Sequence, residues 1–551
     1  MYRGGRVISP NGARLVVSTL ESLDVSAVFG IPGIHNLDIY SALTKSGIRH
    51  ITARHEQGAG FMADGYARST GRTGVALVIS GPGLTNILTP MAQALHDSIP
   101  MLVISSQIPT PFIGKGCGFL HELPDSTALA QGVSKKSFRI GSPEDIPVVI
   151  KSAWDLASDG RPGPVHVEIP MDVLGQASDE EVPFQDSTPS RPEPLIPEDA
   201  ISRTANLLDN SSDPVIIAGG GSCGASGSLS KLAEISGAMV IETCAGKGIV
   251  DERHPLCLGA RSHFPCVREA LSKADLILAF GTELSPTDLW EKPLPGNGTL
   301  VQVDLDPANF SRNGMADIGI TADANEAASA LLKKISSKPA RSAKNIEKAI
   351  ELKEKAGEEL AALTGMGAEL DPMCALVSAL REAIPEEGVL FADMTGPAYV
   401  AISEYPAFSP RTFLHPVGFG TLGLAMPAAI GAAIARPSRP VCVMAGDGGF
   451  QFTLPELAVA VQERLSVPIV IWNDKGFGEI RRNENARHPG IFIAVDNMPP
   501  DLGLLASAYG AKYSRPGDPR ALATSIRQAF SAEVPTIIEC APGKGGFADD
   551  R

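Results

Sequence analysis

Two acidic residues in the C-terminal third of the chain stand where a metal–phosphate site could form. Asp447 lies in the Gly-Asp-Gly-Gly segment 446–449, directly after the apolar run 441–445. Asp474 follows a second apolar run, 467–472. Carboxylate oxygens are ligands that Mg²⁺ and Ca²⁺ prefer, and glycines let backbone N–H groups approach phosphate oxygens. These residue types predict a divalent cation that binds a diphosphate.

A strand–loop–helix–strand unit must position these residues. The pattern predicts a helix from about Leu454 to Arg464, with Pro455 in its first turn, where a missing N–H costs nothing. Such units build parallel sheets, so Asp447 and Asp474 should meet at the edge where open α/β folds bind ligands. A lone Gly-Asp-Gly is usually an ordinary turn, but two acidic strand ends in one unit favour a site.

The unit resembles the fingerprint of thiamine-diphosphate enzymes: Gly-Asp-Gly, a spacer of a little under thirty residues, then Asn-Asn. Here Asp474 replaces the second Asn, which keeps an oxygen at the metal position. The resemblance implies that Asp447, Asp474 and the main-chain carbonyl of Gly476 hold Mg²⁺, with Ca²⁺ as the alternative ion. Cofactor contacts are also implied for the motif glycines Gly446, Gly448 and Gly449.

Glu56 is the predicted catalytic group. It begins the stretch 56–68, whose small residues predict a closely packed helix. A carboxylate at a helix start can simply complement the helix dipole. The stretch nevertheless resembles the family segment whose glutamate hydrogen-bonds N1′ of the aminopyrimidine and promotes removal of the thiazolium C2 proton. The resemblance also implies a homo-oligomer, at least a dimer and expected to be a tetramer. In it, Glu56 acts on cofactor held by the partner subunit's Asp447.

Further cofactor contacts are implied by the resemblance at four turns. Asn86 follows a glycine-rich turn that lies beside the pyrimidine ring in the family. Thr395 and Gly396 occupy the turn that contacts the diphosphate. Gly420 would offer its carbonyl to the 4′-amino group, and Leu422 is the bulky apolar residue under the cofactor.

Three α/β domains, each with a doubly wound parallel sheet, are predicted. Residues 1–178 should form the pyrimidine-binding domain, 198–335 the central Rossmann-like domain and 366–551 the diphosphate-binding domain. Acidic, Pro/Ser-rich residues 175–198 predict a linker. Lys-, Ala- and Glu-rich residues 335–365 predict an exposed helical connector with no further role.

The central domain carries a weak dinucleotide-binding signal. A strand at 214–218 leads to the segment 219–224, which formally matches G-x-G-x-x-G, and Glu242 follows about twenty residues on. In the family this domain binds FAD in some members and nothing in others. We do not expect FAD here, although an FAD- or NAD-binding oxidoreductase and a non-catalytic paralogue remain alternatives.

Composition excludes several classes of partner. The chain has 551 residues, of which 47 are basic and 62 acidic, for a net charge of −15. Nucleic acid needs a basic surface. Residues 1–12 lack the apolar core of a signal peptide, and the most apolar stretch, 422–435, is too short and Gly/Pro-broken for a bilayer. Eight scattered cysteines without a CxxC pair fit a reducing cytoplasm. We therefore expect a cytoplasmic enzyme with neither nucleic acid nor membrane as partner.

The predicted reaction is non-oxidative decarboxylation of a 2-oxo acid. The segments 30–35, 120–125 and 473–481 together look most like 5-guanidino-2-oxopentanoate (2-ketoarginine) decarboxylases. His121 is the candidate proton donor for release of an aldehyde. An acetolactate-synthase-type carboligase and a decarboxylase of benzoylformate or another 2-oxo acid remain alternatives.

Acidic side chains near these segments predict a cationic substrate. A planar guanidinium can form bidentate pairs with carboxylates, whereas an unpaired buried carboxylate is costly. The alternative is that these acids face solvent in an acidic protein. The predicted substrate contacts are His35, Glu122, Asp125, Glu283, Asp288 and Glu479.

Overall fold

A computed structural model describes residues 11–178, 196–290, 293–542 and 547, which form three parallel β-sheets covered by helices. The predicted α/β fold with three doubly wound parallel sheets is confirmed. Most of the predicted linker, residues 179–195, lies outside the described residues. None of the described helices has the length and apolar character needed to cross a membrane.

The first sheet has six parallel strands in the order β2-β1-β3-β4-β6-β5. Its strands are β1 (Ala27–Gly30), β2 (Arg49–Thr52), β3 (Gly74–Val78), β4 (Met101–Gln107), β5 (Lys136–Arg139) and β6 (Pro164–Pro170). Its helices are α1 (Gly12–Ser22), α2 (Leu37–Leu43), α3 (Glu56–Thr70), α4 (Pro82–His96), α5 (Ser126–Gln131), α6 (Ile146–Ser158) and α7 (Met171–Gly175). The chain reverses its direction of winding between β1 and β3, so loops diverge there and leave a crevice.

The second sheet has five parallel strands in the order β11-β10-β9-β7-β8. Its strands are β7 (Pro214–Ala218), β8 (Met239–Glu242), β9 (Leu276–Phe280), β10 (Thr299–Asp304) and β11 (Ile318–Thr321). The helices around it are α8 (Glu198–Asn210), α9 (Ser226–Ser236), α10 (Pro265–Lys273) and α11 (Ala324–Leu332).

The connector after this sheet differs from the prediction. It forms α12 (Pro339–Thr364), but the helix is not simply a solvated surface. Ala349, Leu352, Ala356 and Leu360 are buried along one side of it. Their spacing of three and four residues puts them on one helical face, so α12 packs that face against the core and exposes only the charged face.

The third sheet has six parallel strands in the order β13-β12-β14-β15-β17-β16. Its strands are β12 (Val389–Ala392), β13 (Phe413–Leu414), β14 (Val441–Gly446), β15 (Pro468–Trp472), β16 (Lys512–Ser514) and β17 (Thr536–Cys540). Its helices are α13 (Leu370–Ala383), α14 (Gly396–Glu404), α15 (Ala425–Ala435), α16 (Asp447–Phe452), α17 (Leu457–Gln462), α18 (Gly478–Arg487), α19 (Leu502–Tyr509) and α20 (Pro519–Ala529). The winding reverses between β12 and β14, which places a second crevice at the ends of these strands.

The helix predicted at 454–464 is wrong in its bounds. α16 begins at Asp447 itself, a 3₁₀ turn covers Leu454–Glu456, and α17 follows. Pro455 has no N–H to donate and its ring would clash with the carbonyl of residue 451, which disfavours one continuous α-helix from α16 into α17. The acidic motif therefore starts a helix instead of lying in a loop before one.

The first and third sheets are joined by the contact of α3 with α15. A Cβ on Gly65 would overlap the main chain of Ala428, and a Cβ on Gly431 would overlap that of Met62. The two helix backbones touch because glycine has no side chain at either position. This is the close packing that the small residues of 56–68 predict.

Candidate active site

Asp447 and Asp474 lie together at the crevice of the third sheet. β14 and β15 pair in parallel with Gly446 opposite Trp472, so the residues that follow both strands emerge at one edge. Asp447 is 2% exposed, and neither of its carboxylate oxygens has a hydrogen-bond partner in the described structure. Burial and the charge of Asp474 raise the pKa of Asp447 to about 7, and burial also raises that of Asp474.

This acidic pair fits a divalent cation. Two adjacent carboxylates in a buried place repel each other and are poorly solvated, and a hard cation with oxygen ligands relieves both costs. The carbonyl oxygen of Gly476 lies 3.6 Å from where a Cβ on Gly448 would stand, so it faces the motif. The three predicted metal ligands are therefore brought to one place.

The predicted diphosphate contacts surround the same motif. A Cβ on Gly446 would lie 3.1 Å from Oγ1 of Thr395, which is the N-cap residue of α14. A Cβ on Gly449 would lie 3.6 Å from Cδ2 of Leu422. A Cβ on Gly448 would lie 2.9 Å from the ring of Phe477. The three glycines, with Thr395, Leu422 and Phe477 around them, form a cradle to which the motif glycines add no side chains.

Two further residues predicted to touch the cofactor lie beside this cradle. Gly396 begins α14, directly after Thr395. Gly420 has a φ of +70°, a backbone conformation that favours glycine. A Cβ there would lie 3.1 Å from Cε of Met394, in the turn that leads to Thr395.

Asp393 is a site residue that the sequence analysis did not select. Its carboxylate accepts the N–H of Met394 at 2.9 Å and that of Gly423 at 2.9 Å. Burial raises its pKa to about 6. Asp393 thus ties the turn before α14 to the loop that carries Leu422. An acidic residue directly after an apolar strand was the signal available for it.

Glu56 begins α3, as predicted, and faces the crevice of the first sheet. Its Oε2 accepts a hydrogen bond from Nδ2 of Asn86, at 2.9 Å. Asn86 lies in the first turns of α4, which follows β3. Burial and the charge of Glu56 raise the pKa of Tyr40, whose hydroxyl is 3.0 Å from Nε2 of His50. Asn86 therefore holds one carboxylate oxygen of Glu56 in a fixed direction.

Glu456 supports Glu56 from the third sheet. It is fully buried, and its carboxylate accepts the main-chain N–H of His55 at 2.9 Å and that of Arg54 at 3.1 Å. Burial raises its pKa to about 7, although these hydrogen bonds oppose the shift. A side chain at Gly58 would overlap the carboxylate. Sequence analysis missed Glu456, since a glutamate in a helical segment normally faces solvent.

We expect Glu456→Gln to slow removal of the cofactor C2 proton at least tenfold while cofactor affinity stays within twofold. Glutamine keeps the volume but presents an NH₂ group to main-chain donors, so residues 54–55 and the start of α3 should shift. One lost buried hydrogen bond also predicts about 1–3 kcal/mol less unfolding free energy. Hydrogen–deuterium exchange at C2, calorimetry and denaturant unfolding measure the three effects.

The matched control is Glu533→Gln, at an 81% exposed carboxylate that pairs with Arg464. It should change none of the three quantities. Unfolding energy that falls with no change in C2 exchange would show that Glu456 stabilises the domain contact without positioning Glu56.

His35 and His121 meet at the crevice of the first sheet. Nδ1 of His35 is 2.6 Å from Oγ of Ser80, and the two imidazole centroids are 5.1 Å apart. A Cβ on Gly81 would lie 2.7 Å from Cβ of His121. Burial and the nearby His121 lower the pKa of His35. Nδ1 of His121 is buried and has no partner among the described residues.

The predicted acidic contacts next to His121 are already engaged. Glu122 accepts three main-chain N–H groups of its own loop, those of Gly116, Gly118 and Phe119. Burial acts to raise the pKa of Glu122, but these main-chain hydrogen bonds together outweigh it and lower the pKa. Asp125 caps α5 by accepting the N–H of Ala128 at 2.9 Å. Both carboxylates hold the loop around His121 and are not drawn towards the imidazole.

The three other predicted acidic contacts also have partners inside the chain. Glu283 forms ion pairs with Arg161 and Arg312. Asp288 accepts the hydroxyl of Ser285 at 3.0 Å, and burial raises its pKa to about 6. Glu479 pairs with Arg482, which also contacts Glu369. The structure thus places a guanidinium between Glu369 and Glu479, but this guanidinium is the side chain of Arg482 and not a substrate.

The dinucleotide signal of the central domain has a structural explanation. Glu242 is fully buried and accepts the main-chain N–H of Val250 at 2.9 Å and that of Gly248 at 3.2 Å. The glycine-rich turn packs on Gly281, where a Cβ would lie 2.5 Å from the main chain of Gly221. Both elements of the motif therefore hold the domain together.

Comparisons with known proteins agree with this arrangement. Three profiles of thiamine pyrophosphate enzymes match: the N-terminal TPP binding domain at residues 10–129, the central domain at 201–331 and the C-terminal TPP binding domain at 395–540. A probable 2-ketoarginine decarboxylase of Pseudomonas aeruginosa is 38% identical over 95% of this chain and 92% of its own length. A probable acetolactate synthase large subunit of Methanocaldococcus jannaschii is 32% identical over 96% of this chain and 91% of its own. Acetolactate synthase isozyme 1 large subunit of Escherichia coli is 29% identical over 96% of this chain and 93% of its own length.

Proposed function

Since the chain belongs to the thiamine pyrophosphate enzyme family, we propose that it catalyses the thiamine-diphosphate- and Mg²⁺-dependent, non-oxidative decarboxylation of a 2-oxo acid. The family resemblance drawn from the sequence is thereby confirmed. The observation that supports metal-dependent cofactor binding is the buried, unpartnered carboxylate of Asp447 beside Asp474. We further propose the domain division 1–178, 198–335 and 366–551.

Asp447, Asp474 and the carbonyl of Gly476 would hold the cation. Main-chain N–H groups of the motif and of the turn at Thr395 would bind the diphosphate oxygens. Ca²⁺ could replace Mg²⁺, because both are hard cations that take oxygen ligands. FAD is not part of the proposal, since the central-domain motif is used in packing.

The chain's own residues then have separate tasks. Bound thiamine diphosphate supplies a nucleophilic carbon and accepts the electrons left by departing CO₂. Glu56 exchanges a proton with the aminopyrimidine, and Asn86 keeps its carboxylate in the orientation for this exchange. Leu422 supports the cofactor from below. His121 delivers a proton towards the product carbon through its unpartnered nitrogen.

The proposed substrate is 5-guanidino-2-oxopentanoate, which would yield 4-guanidinobutanal and CO₂. One observation supports this substrate, and a second supports release of the aldehyde. The Pseudomonas aeruginosa relative carries that activity in its name and aligns over nearly the whole chain. The His35–His121 pair provides a proton donor, which favours release of an aldehyde. Acetolactate formation is the second candidate, because two aligned relatives are named acetolactate synthases.

A panel of three 2-oxo acids tests this proposal. We expect kcat/KM for 5-guanidino-2-oxopentanoate to exceed that for pyruvate and benzoylformate at least tenfold, with equal amounts of CO₂ and aldehyde. His121→Ala should lower aldehyde release by about 100-fold, in the range for loss of a general acid, and affect single-turnover CO₂ loss less. His488→Ala, at an exposed histidine after α18, is the control.

Product identity decides between the two candidates. Acetolactate as the main product from pyruvate, at a kcat/KM above that of the guanidino acid, would contradict the decarboxylase.

Glu479→Gln adds a test of cation recognition. If Glu369 and Glu479 release Arg482 and bind the substrate guanidinium in its place, the variant should lower kcat/KM for the guanidino substrate only. If Glu479 only anchors α18, the variant should lower kcat/KM for pyruvate equally.

We propose a homo-oligomer, at least a dimer, with active sites between subunits. In the described structure no hydrogen bond or ion pair joins Glu56 to Asp447. Large apolar side chains are exposed near both crevices: Ile34 is 68% exposed, Leu120 60%, Ile493 73% and Met498 95%. Exposed apolar residues of this kind mark interaction surfaces when they cluster. A second subunit would cover them and bring a Glu56 to each metal site; tetramer formation is part of the same proposal.

A further inference from the structure

A basic cavity lies away from the crevices described above. Its volume is about 500 Å³, and it is formed where α3, α15 and the loop before β13 come together. Three arginines, Arg411, Arg436 and Arg439, and four hydroxyl side chains line it, against a single carboxylate, that of Glu387. This composition stands out in a chain with a net charge of −15.

The cavity is at the opposite edge of the third sheet from the cofactor loops. Glu387 precedes β12 and Arg439 precedes β14, so both lie at the amino ends of these strands. Thr395 and Asp447 follow the carboxyl ends of the same strands. β14 has six residues, and at about 3.3 Å per residue it separates the two places by roughly 20 Å. The cavity is therefore a separate site.

The arginines of the cavity are only partly balanced by the chain, through the charge of Glu387, which opposes the lowering of the pKa of Arg439. Arg411 donates to the carbonyl of Arg68 at 3.2 Å, and Arg439 donates to the carbonyls of Glu387 at 2.7 Å and Arg411 at 3.2 Å. Arg436 is exposed and makes no described side-chain bond. No ion pair to any of the three arginines is found within the described ranges. Burial and the charges of Arg436 and Arg411 lower the pKa of Arg439.

Ser69 gives an independent indication of a ligand. It is 1% exposed, lines the cavity, and its hydroxyl has no hydrogen-bond partner among described residues. A buried hydroxyl without a partner is costly unless something else accepts its proton. The helix C-termini nearby explain the bond from Arg411 to Arg68, because cations stabilise that end of a helix. Arg436 is the C-cap residue of α15, so the same effect accounts for its position, but it does not account for the unpartnered hydroxyl of Ser69.

We propose that this cavity binds a phosphorylated small molecule. Guanidinium groups bind phosphate oxygens with two parallel hydrogen bonds, so Arg436, Arg439 and Arg411 would receive the phosphate, and the Ser69 hydroxyl would donate to it. The remaining volume exceeds what one phosphate fills and would take the organic part of a phosphate ester. A ligand here would contact the end of α3 opposite Glu56 and the start of β14, the strand that ends at the Asp447 motif.

Calorimetry on the enzyme saturated with thiamine diphosphate and Mg²⁺ tests this site. Inorganic phosphate and AMP are the probes, with ionic strength held constant by chloride. We expect saturable binding of at least one probe at one site per chain. Arg436→Gln should weaken this binding at least tenfold and Ser69→Ala about threefold, whereas kcat without probe should stay within twofold of wild type in both variants.

Arg203→Gln is the matched control. Arg203 is exposed on α8, and its replacement removes the same charge far from the cavity. It should leave binding within twofold of wild type. Stronger binding of AMP than of phosphate would assign the site to phosphate esters, and equal binding would assign it to the phosphate group alone. The proposal is overturned if neither probe saturates, or if Arg436→Gln binds like wild type. Because the cofactor site is filled and activity is not the readout, this outcome does not depend on the proposed reaction.

Discussion

Replacing Asp447 with asparagine is expected to weaken cofactor binding by about 100-fold or more, since loss of even an outer partner of a metal site costs 10–100-fold. Asparagine fills the same space at the start of α16 but removes the charge that the cation needs. The diphosphate would then face Asp474 without enough positive charge between them. Calorimetric titration of the cofactor-free protein with thiamine diphosphate, with and without Mg²⁺, measures the loss.

The cofactor-free Asp447→Asn protein should be at least as stable as wild type. In wild type both carboxylate oxygens of Asp447 are buried without partners beside Asp474, so removing that charge removes a cost of folding. Asp496→Asn is the control, at an 80% exposed residue near the same loop, and should bind cofactor normally. Near wild-type affinity in Asp447→Asn would mean that the metal lies elsewhere.

Replacing Glu56 with glutamine should leave fold and cofactor affinity nearly intact and slow C2 deprotonation by a factor of about 10² to 10⁴, the range for a positioned acid–base group. Glutamine can still accept the hydrogen bond from Asn86, but it cannot exchange a proton with the aminopyrimidine. Hydrogen–deuterium exchange at C2 of the bound cofactor reports this step directly. Glu21→Gln, at an exposed residue of α1, is the control, and an unchanged rate in Glu56→Gln would refute the assignment.

Mixing the Glu56→Gln and Asp447→Asn proteins tests where the site is formed. If each site uses Glu56 of one subunit and the metal ligands of the other, half of randomly assorted dimers contain one intact site. An equal mixture should then recover about a quarter of wild-type activity, as expected for a two-fold dimer. No recovery after verified subunit exchange would place both residues of a site in one subunit.

Local sequence determined the landmarks of the site. The apolar runs 441–445 and 467–472 predicted buried strands of a parallel sheet, because such strands are covered on both faces and read as short apolar runs. Their acidic ends had to meet at one sheet edge, and Glu56 had to start a helix rich in small residues. Each of these features depends on a few consecutive residues, so it could be predicted without knowledge of the rest of the chain.

Only the tertiary structure decided which polar groups were free for chemistry. Glu456 accepts an N–H group 402 residues away in the chain, and no local pattern records such a contact. Glu122 and Glu479 had the right charge and position to bind a cation, yet the fold gives one three main-chain donors and the other an arginine.

The same distinction explains the bounds of the helices and the basic cavity. Pro455 lies in a 3₁₀ turn where the sequence predicted the first turn of an α-helix. The buried face of α12 exists because a core lies beside it. Arg411 and Arg436 stand 25 positions apart and meet Ser69 only through the packing of α3 on α15.

Hydrophobic period and turn chemistry act over a few residues, whereas the free energy of a buried charge depends on every group the fold brings near it. The sequence by itself therefore determined the family and the parallel-sheet fold and predicted the metal ligands, and the tertiary structure determined which of its many charged side chains remain available to a ligand.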